Sequence, residues 1–177
     1  KNNHADIVSL HPMIRDVVLL ELNPSFGNCD TLITNLKSKL QIIGYELPDS
    51  AIIISSIKNV MKYIGSTDSI SYLNFLEDAY IFLDNYHEYD FMETIISETE
   101  KLLDDDKLGT DNNRALLLNN KAMLPMNRNE KLAHSISLMN KALSMCDEKS
   151  NPVLFANINM NLGILYIENK ETERGLE

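Results

Sequence analysis

Apolar positions along this 177-residue chain recur at three- and four-residue steps, in short blocks broken by Pro, Gly, Asn and Asp clusters. His11–Leu22 reads as a first helix with Pro12 near its start. A break at 23–28 follows. Asp30 caps a second helix, "TLITNLKSKLQIIG", whose apolar stripe is Leu32, Leu36, Leu40 and Ile43 and whose stop is Gly44. Pro48-Asp49-Ser50 starts a third, closed by Gly65. Ser66-Thr67-Asp68 opens a fourth from Ser69 to about Asn85, and a fifth runs from about Asp90 to Leu103. A sixth begins near Asn113 and is expected to end at Leu124, because Pro125 has no amide hydrogen to continue it. The seventh spans about Asn129 to Cys146. The eighth starts at Ser150-Asn151-Pro152 and ends near Asn169, and a ninth begins at Glu171.

Glycine and proline are scarce, at 6 and 5, and no Asn-Gly or Asp-Gly hairpin turn occurs. The expectation is an all-α chain of helix pairs. Three pairs share a device: Ala79, Ala122 and Gly163 are small residues in first helices, 43 and 41 residues apart. A small residue lets two helix backbones approach, and its recurrence at a near-constant step is what stacked hairpins require. Ala142-Leu143 supplies a small-plus-apolar pair late in a second helix.

These residues resemble the tetratricopeptide (TPR) family over roughly Thr67 to Glu177. "NLGILYIENKETERGLE" carries most of the likeness: Leu162-Gly163 is similar to the family's Leu-Gly, Tyr166 to its tyrosine, and Gly175 takes the place of a small residue in the second helix. Phe82 stands for that tyrosine in one earlier pair and Pro125 in the other. The family period is about 34 residues; the longer step here resembles TPR-like arrays of bacterial signalling and regulatory proteins. The resemblance implies a right-handed superhelix of antiparallel helix pairs, an α-solenoid. It divides the chain into an N-terminal helical segment, 1–45, similar to the tail of an upstream domain, and repeats over 46–177 with the last one cut short.

A second, shorter resemblance lies in "LHPMIRDVVLLEL", Leu10–Leu22. It is similar to the His-Pro-x-Ile/Val-Arg-x-Val stretch that closes the winged-helix part of STAND-type signalling ATPases, ahead of their repeat sensor. It implies an alternative: a sensor or autoinhibitory region of such an ATPase or of a transcriptional regulator. No Gly-rich phosphate loop with Lys-Ser/Thr is present to bind ATP in that manner.

Charge and chemistry narrow the function. The formal net charge of −10 repels phosphate backbones, so nucleic acid is not an expected partner. Apolar runs such as Ala51–Ile54 are too short for a bilayer, which takes roughly 20 residues, and no membrane partner is expected. Two cysteines, Cys29 and Cys146, are too few for a disulfide framework and read as apolar filler in a reducing compartment, the cytoplasm. His4, His11, His87 and His134 share no metal-ligand spacing, and no nucleophile elbow occurs, so neither metal, cofactor nor catalytic residue is assigned. In "DDDKLGTD" a calcium loop from Asp104 fails at its fifth and twelfth positions, Leu108 and Ala115; the segment reads as a solvated loop.

If the TPR-like arrangement holds, first helices turn one face inward to a partner. Its candidates are Leu76, Tyr80, Leu83 and Asp84; Asn119, Met123, Met126 and Asn127; and Asn157, Met160, Asn161, Ile164 and Glu168. Asparagine amides donate and accept at once along an extended peptide, and methionine adapts to varied side chains. Bacterial peptide-pheromone receptors with TPR domains use asparagines in this way. The Lys/Arg set of the chaperone-tail clamp is missing from these positions. The expected function is therefore a non-enzymatic module that binds a protein or peptide in a bacterial cytoplasmic regulator. A self-associating scaffold is the third reading. The last first-helix is expected to leave Ile158, Leu162, Leu165 and Tyr166 partly uncovered, with the natural chain continuing past Glu177 and the isolated piece forming a homodimer through that end.

Overall fold

In the computed structural model the residues described are 14, 19–41, 50–64, 68–104, 107–127 and 132–170. They form seven helices and no strand: α1 (Asp30–Leu40), α2 (Ser50–Tyr63), α3 (Ser69–Asn85), α4 (Tyr89–Leu102), α5 (Asp111–Asn127), α6 (Ala133–Met145) and α7 (Pro152–Glu168). A helical stretch at 19–22 precedes them. The His-Pro motif apart from Ile14, the stops at Gly44 and Gly65, and the ninth helix from Glu171 lie outside the described residues.

Each helix packs on its chain neighbour in the pairs α1–α2, α3–α4, α4–α5, α5–α6 and α6–α7, and α1–α3 and α5–α7 also touch. The helix ends follow local chemistry. Asp68 caps α3, its carboxylate accepting from the Ser71 amide at 3.2 Å, and Asn151 caps α7 by accepting from the Leu154 amide at 3.1 Å. At the end of α3, His87 adopts φ 58°, and the Glu88 and His87 amides return to the Leu83 and Asp84 carbonyls. This doubly bonded stop turns the chain straight into α4.

Two apolar clusters meet at α5. The first gathers Ile33, Leu36 and Leu40 of α1, Ile53, Ile57 and Val60 of α2, most of α3, and Phe91, Met92, Ile95 and Ile96 of α4, with Leu117 and Leu124 of α5. Phe26, from the link before α1, sets its ring 5.9 Å from Tyr72 and 6.2 Å from Phe75. The second joins Ala115 and Ala122 of α5 to Met139 and Ala142 of α6 and to Leu154, Ile158, Leu162, Leu165 and Tyr166 of α7. Burying each such Leu, Ile or Phe contributes about 1.5–3 kcal/mol, so both clusters stabilise their helices well beyond intrinsic propensity. α5 presents Leu117 and Leu124 to one cluster and Ala115 and Ala122 to the other, which couples the two.

Five expectations need correction. Leu32 is 61% exposed and Ile33 takes its place in the core, so the stripe of α1 is Ile33, Leu36 and Leu40. Asp30 is not the cap: Cys29 occupies that position without a side-chain bond, and Asp30 sits in the first turn, where its charge suits the helix dipole. Pro125 does not end α5, which runs on to Asn127. A proline within the last turn forfeits only the bond to the Lys121 carbonyl, and burial of Leu124 beside it offsets that loss. The stripe Ile158, Leu162, Leu165 and Tyr166 is buried rather than partly covered, because α5 and α6 close over it.

The fifth correction concerns the link from α4 to α5, which is more than a solvated loop. Leu108 is buried in the first cluster. Arg114 donates from Nε to the Gly109 carbonyl and from Nη2 to the Leu103 carbonyl, both at 2.9 Å. Asn113 holds the Leu108 carbonyl at 2.8 Å. The Leu103 bond satisfies a carbonyl left over where α4 stops, and the other two hold the link ahead of α5.

Candidate functional site

α3, α5 and α7 place the candidate residues, and their packing sorts them into three groups. Tyr80 and Asn119 are buried and Asn161 half-buried, and the structure brings these together. The Tyr80 hydroxyl donates to the Asn120 carbonyl at 3.0 Å. The Asn119 amide donates to the Asn120 side-chain oxygen at 3.2 Å, and the Asn161 amide donates to Asn119 Oδ1 at 2.9 Å. A polar ladder therefore crosses the three helices, through partners 40 and 42 residues apart. Burial, and then the Asp84 carboxylate, push the Tyr80 phenol pKa up, so it stays a neutral donor.

The second group is exposed. Asn157, Met160, Ile164 and Glu168 share one stripe of α7, with Met160 59% exposed and Ile164 37%. Val153 and Ile167 extend that apolar surface. The third group belongs to the interior. Leu76 and Leu83, expected on the inward face, are fully buried in the first cluster, and Met123 and Met126 pack against the second. Asn127 is the last residue of α5 and its side chain lies outside the described set.

Asn120 was missed by sequence reasoning. It sits next to Asn119, and only the packing of α3 against α5 tells which of two adjacent asparagines meets Tyr80. Two carboxyls flank this face on α3. Glu77 is raised in pKa by burial and by Asp78, against the pull of Lys37, while burial raises Asp84 against His87. Lys37 pairs with Asp78 at 3.2 Å and ties α1 to α3. Tyr166 accepts from the Asn140 amide at 3.3 Å, linking α7 to α6.

The chemistry on offer is hydrogen bonding by carboxamides beside adaptable apolar side chains. Among the described residues no group of three His, Cys, Asp or Glu could hold a metal ion. Among them, too, no helix is long and apolar enough to cross a membrane. Cys146 is buried and Cys29 half-buried, both as free thiols. Comparison of the chain with protein-family models, with curated proteins and with solved structures returns no match.

Proposed function

We propose that this chain is a non-catalytic helical-repeat module, a TPR-like right-handed solenoid of antiparallel helix pairs, that binds a protein or peptide segment within a bacterial cytoplasmic regulator. The observation that carries the reading is the ladder from Tyr80 through Asn120 and Asn119 to Asn161. It joins first helices at steps close to the recurrence of Ala79, Ala122 and Gly163, and both alanines are fully buried where helices approach. Helices that recur at a near-constant step and are tied to one another are what a repeat array predicts.

Packing sharpens where a partner would bind. Asn119 and Asn161 satisfy one another, so their first role is to hold α5 and α7 in register. The exposed stripe Asn157, Met160, Ile164 and Glu168 is free to meet a ligand. The test is a pull-down from the parent organism followed by titration of the captured segment against the parent and the double variant Asn157→Ala, Met160→Ser. Loss of affinity with unchanged helicity supports the reading. Unchanged affinity removes that stripe from the site.

A further inference from the structure

α7 repeats, 41 residues on, the face with which α5 seats it. On α5, Ala115 and Ala122 are fully buried in the cluster shared with α7, Met126 packs against that cluster, and Asn119 takes the Asn161 amide at 2.9 Å. Their counterparts on α7 are Ala156, Gly163, Ile167 and Met160. None of these is buried: Ala156, Met160 and Ile167 are exposed and Gly163 is half-buried. The contact surface that joins α5 to α7 therefore continues onto an open face of α7. It is distinct from Ile158, Leu162, Leu165 and Tyr166, which are spent inside the second cluster.

The open face alternates in size. Val153, Met160 and Ile167 stand seven residues apart, with Ala156 and Gly163, also seven apart, between them. That spacing keeps all five along one seam of the helix. Small residues let a second backbone approach, and the large ones beside them need a hollow to enter. The seam carries no charged side chain. With Met160 where α5 has Asn119, it also lacks the acceptor that would extend the amide ladder to a further asparagine. Its occupant is therefore an apolar helix whose hollows and large side chains fall in the complementary order.

We infer that this occupant is α7 of a second copy, lying antiparallel across the seam. Run antiparallel, the seam complements itself: Met160 enters at the second copy's Gly163 and Ile167 at its Ala156, and each contact occurs twice about a two-fold axis. Charge selects the direction. Parallel pairing would bring both exposed Glu168 carboxylates to one end of the seam, on chains of net charge −10. Antiparallel pairing holds them about 20 Å apart, beyond a Debye length, and sets the two helix dipoles in opposition. α7 has 17 residues and is about 25 Å long. One helix face falls short of the roughly 800 Å² per partner of a standard interface, so the dimer is weak and exchanges with monomer. The pairing needs no peptide ligand, but it covers Met160 and so withholds the neighbouring stripe from one.

Sedimentation equilibrium of the full chain, from micromolar to millimolar concentration, is expected to show a monomer–dimer equilibrium. Ala156→Glu and, independently, Met160→Ala should each weaken it about ten-fold with helicity unchanged. Asn157→Ala lies off the seam and should leave the dimer in place, so a failure of the peptide reading and a failure of the pairing give separate results. Direction is read with a short bis-maleimide in a Cys29→Ser background, Cys146 being buried. Proteins carrying Ala156→Cys and Ile167→Cys should cross-link to each other when mixed and scarcely to themselves. A chain that stays monomeric at millimolar concentration, or a dimer indifferent to both seam variants, would overturn the assignment. Cross-linking of each cysteine variant to itself would overturn the antiparallel arrangement.

Discussion

Asn161 on α7 donates its side-chain amide to Asn119 Oδ1 on α5 across 2.9 Å, and both sit where two first helices meet. Removing one partner strands the other in a buried place. Asn161→Ala should therefore cost about 1–3 kcal/mol in urea unfolding. The double variant Asn119→Leu, Asn161→Leu removes both polar groups and should cost less than the sum of the single leucine changes. Additive costs would mean that the pair does not hold the helices together.

The α4–α5 link gives a sharper test. A Cβ built on Gly109 would lie 2.5 Å from Arg114 Nη2 and 2.6 Å from the Leu103 carbonyl. The arginine can move, but the backbone carbonyl that it serves cannot move far. Gly109→Ala should lower the melting temperature, and Arg114→Ala, which opens the space while losing two hydrogen bonds, should also destabilise. In combination the two should be less than additive. A Gly109→Ala protein as stable as the parent would show that the link tolerates a shifted register.

Glu77 sets a pH dependence. Burial and Asp78 hold its folded-state pKa above the ordinary value of 4.5. The folded chain thus binds this proton more tightly than the unfolded one, and the ionised carboxylate opposes folding. That opposition is fully present above the raised pKa and is relieved as pH falls through the carboxylate range. Glu77→Gln should be more stable than the parent at neutral pH, with the gap closing on acidification. Denaturant midpoints for both proteins at neutral and acidic pH decide it.

α7 has two faces, and substitution should separate them. Ile158 is fully buried while Met160, two residues on, is mostly exposed. Ile158→Ala should cost about 2–5 kcal/mol; Met160→Ser should stay within about 0.5 kcal/mol. A large loss at Met160 would remove it from any exposed binding surface.

The amino-acid pattern carried a good deal of this. Helical periodicity placed α3 at its observed ends, because Asp68 caps one end and a change of backbone hand at His87 stops the other. The Asn151-Pro152 start of α7 was equally legible, since a cap and an N1 proline act within four residues. Local signals failed where packing outweighs them. Pro125 reads as a stop, yet α5 continues through it on the strength of Leu124 in the core. Leu32 and Ile33 are equivalent to any hydrophobicity scale, and only the position of Phe26 and α3 decides which turns inward.

By itself, then, the sequence determined the all-helical class, the pairing through short links and the recurrence of small residues, because capping and periodicity are properties of a few adjacent residues. The tertiary structure decided which candidate side chains remain available. Asparagines are alike in the chain, but Asn119 and Asn161 are occupied with each other while Asn157 faces outward. Satisfaction of a polar group depends on partners remote in sequence, and that is decided when the helices meet.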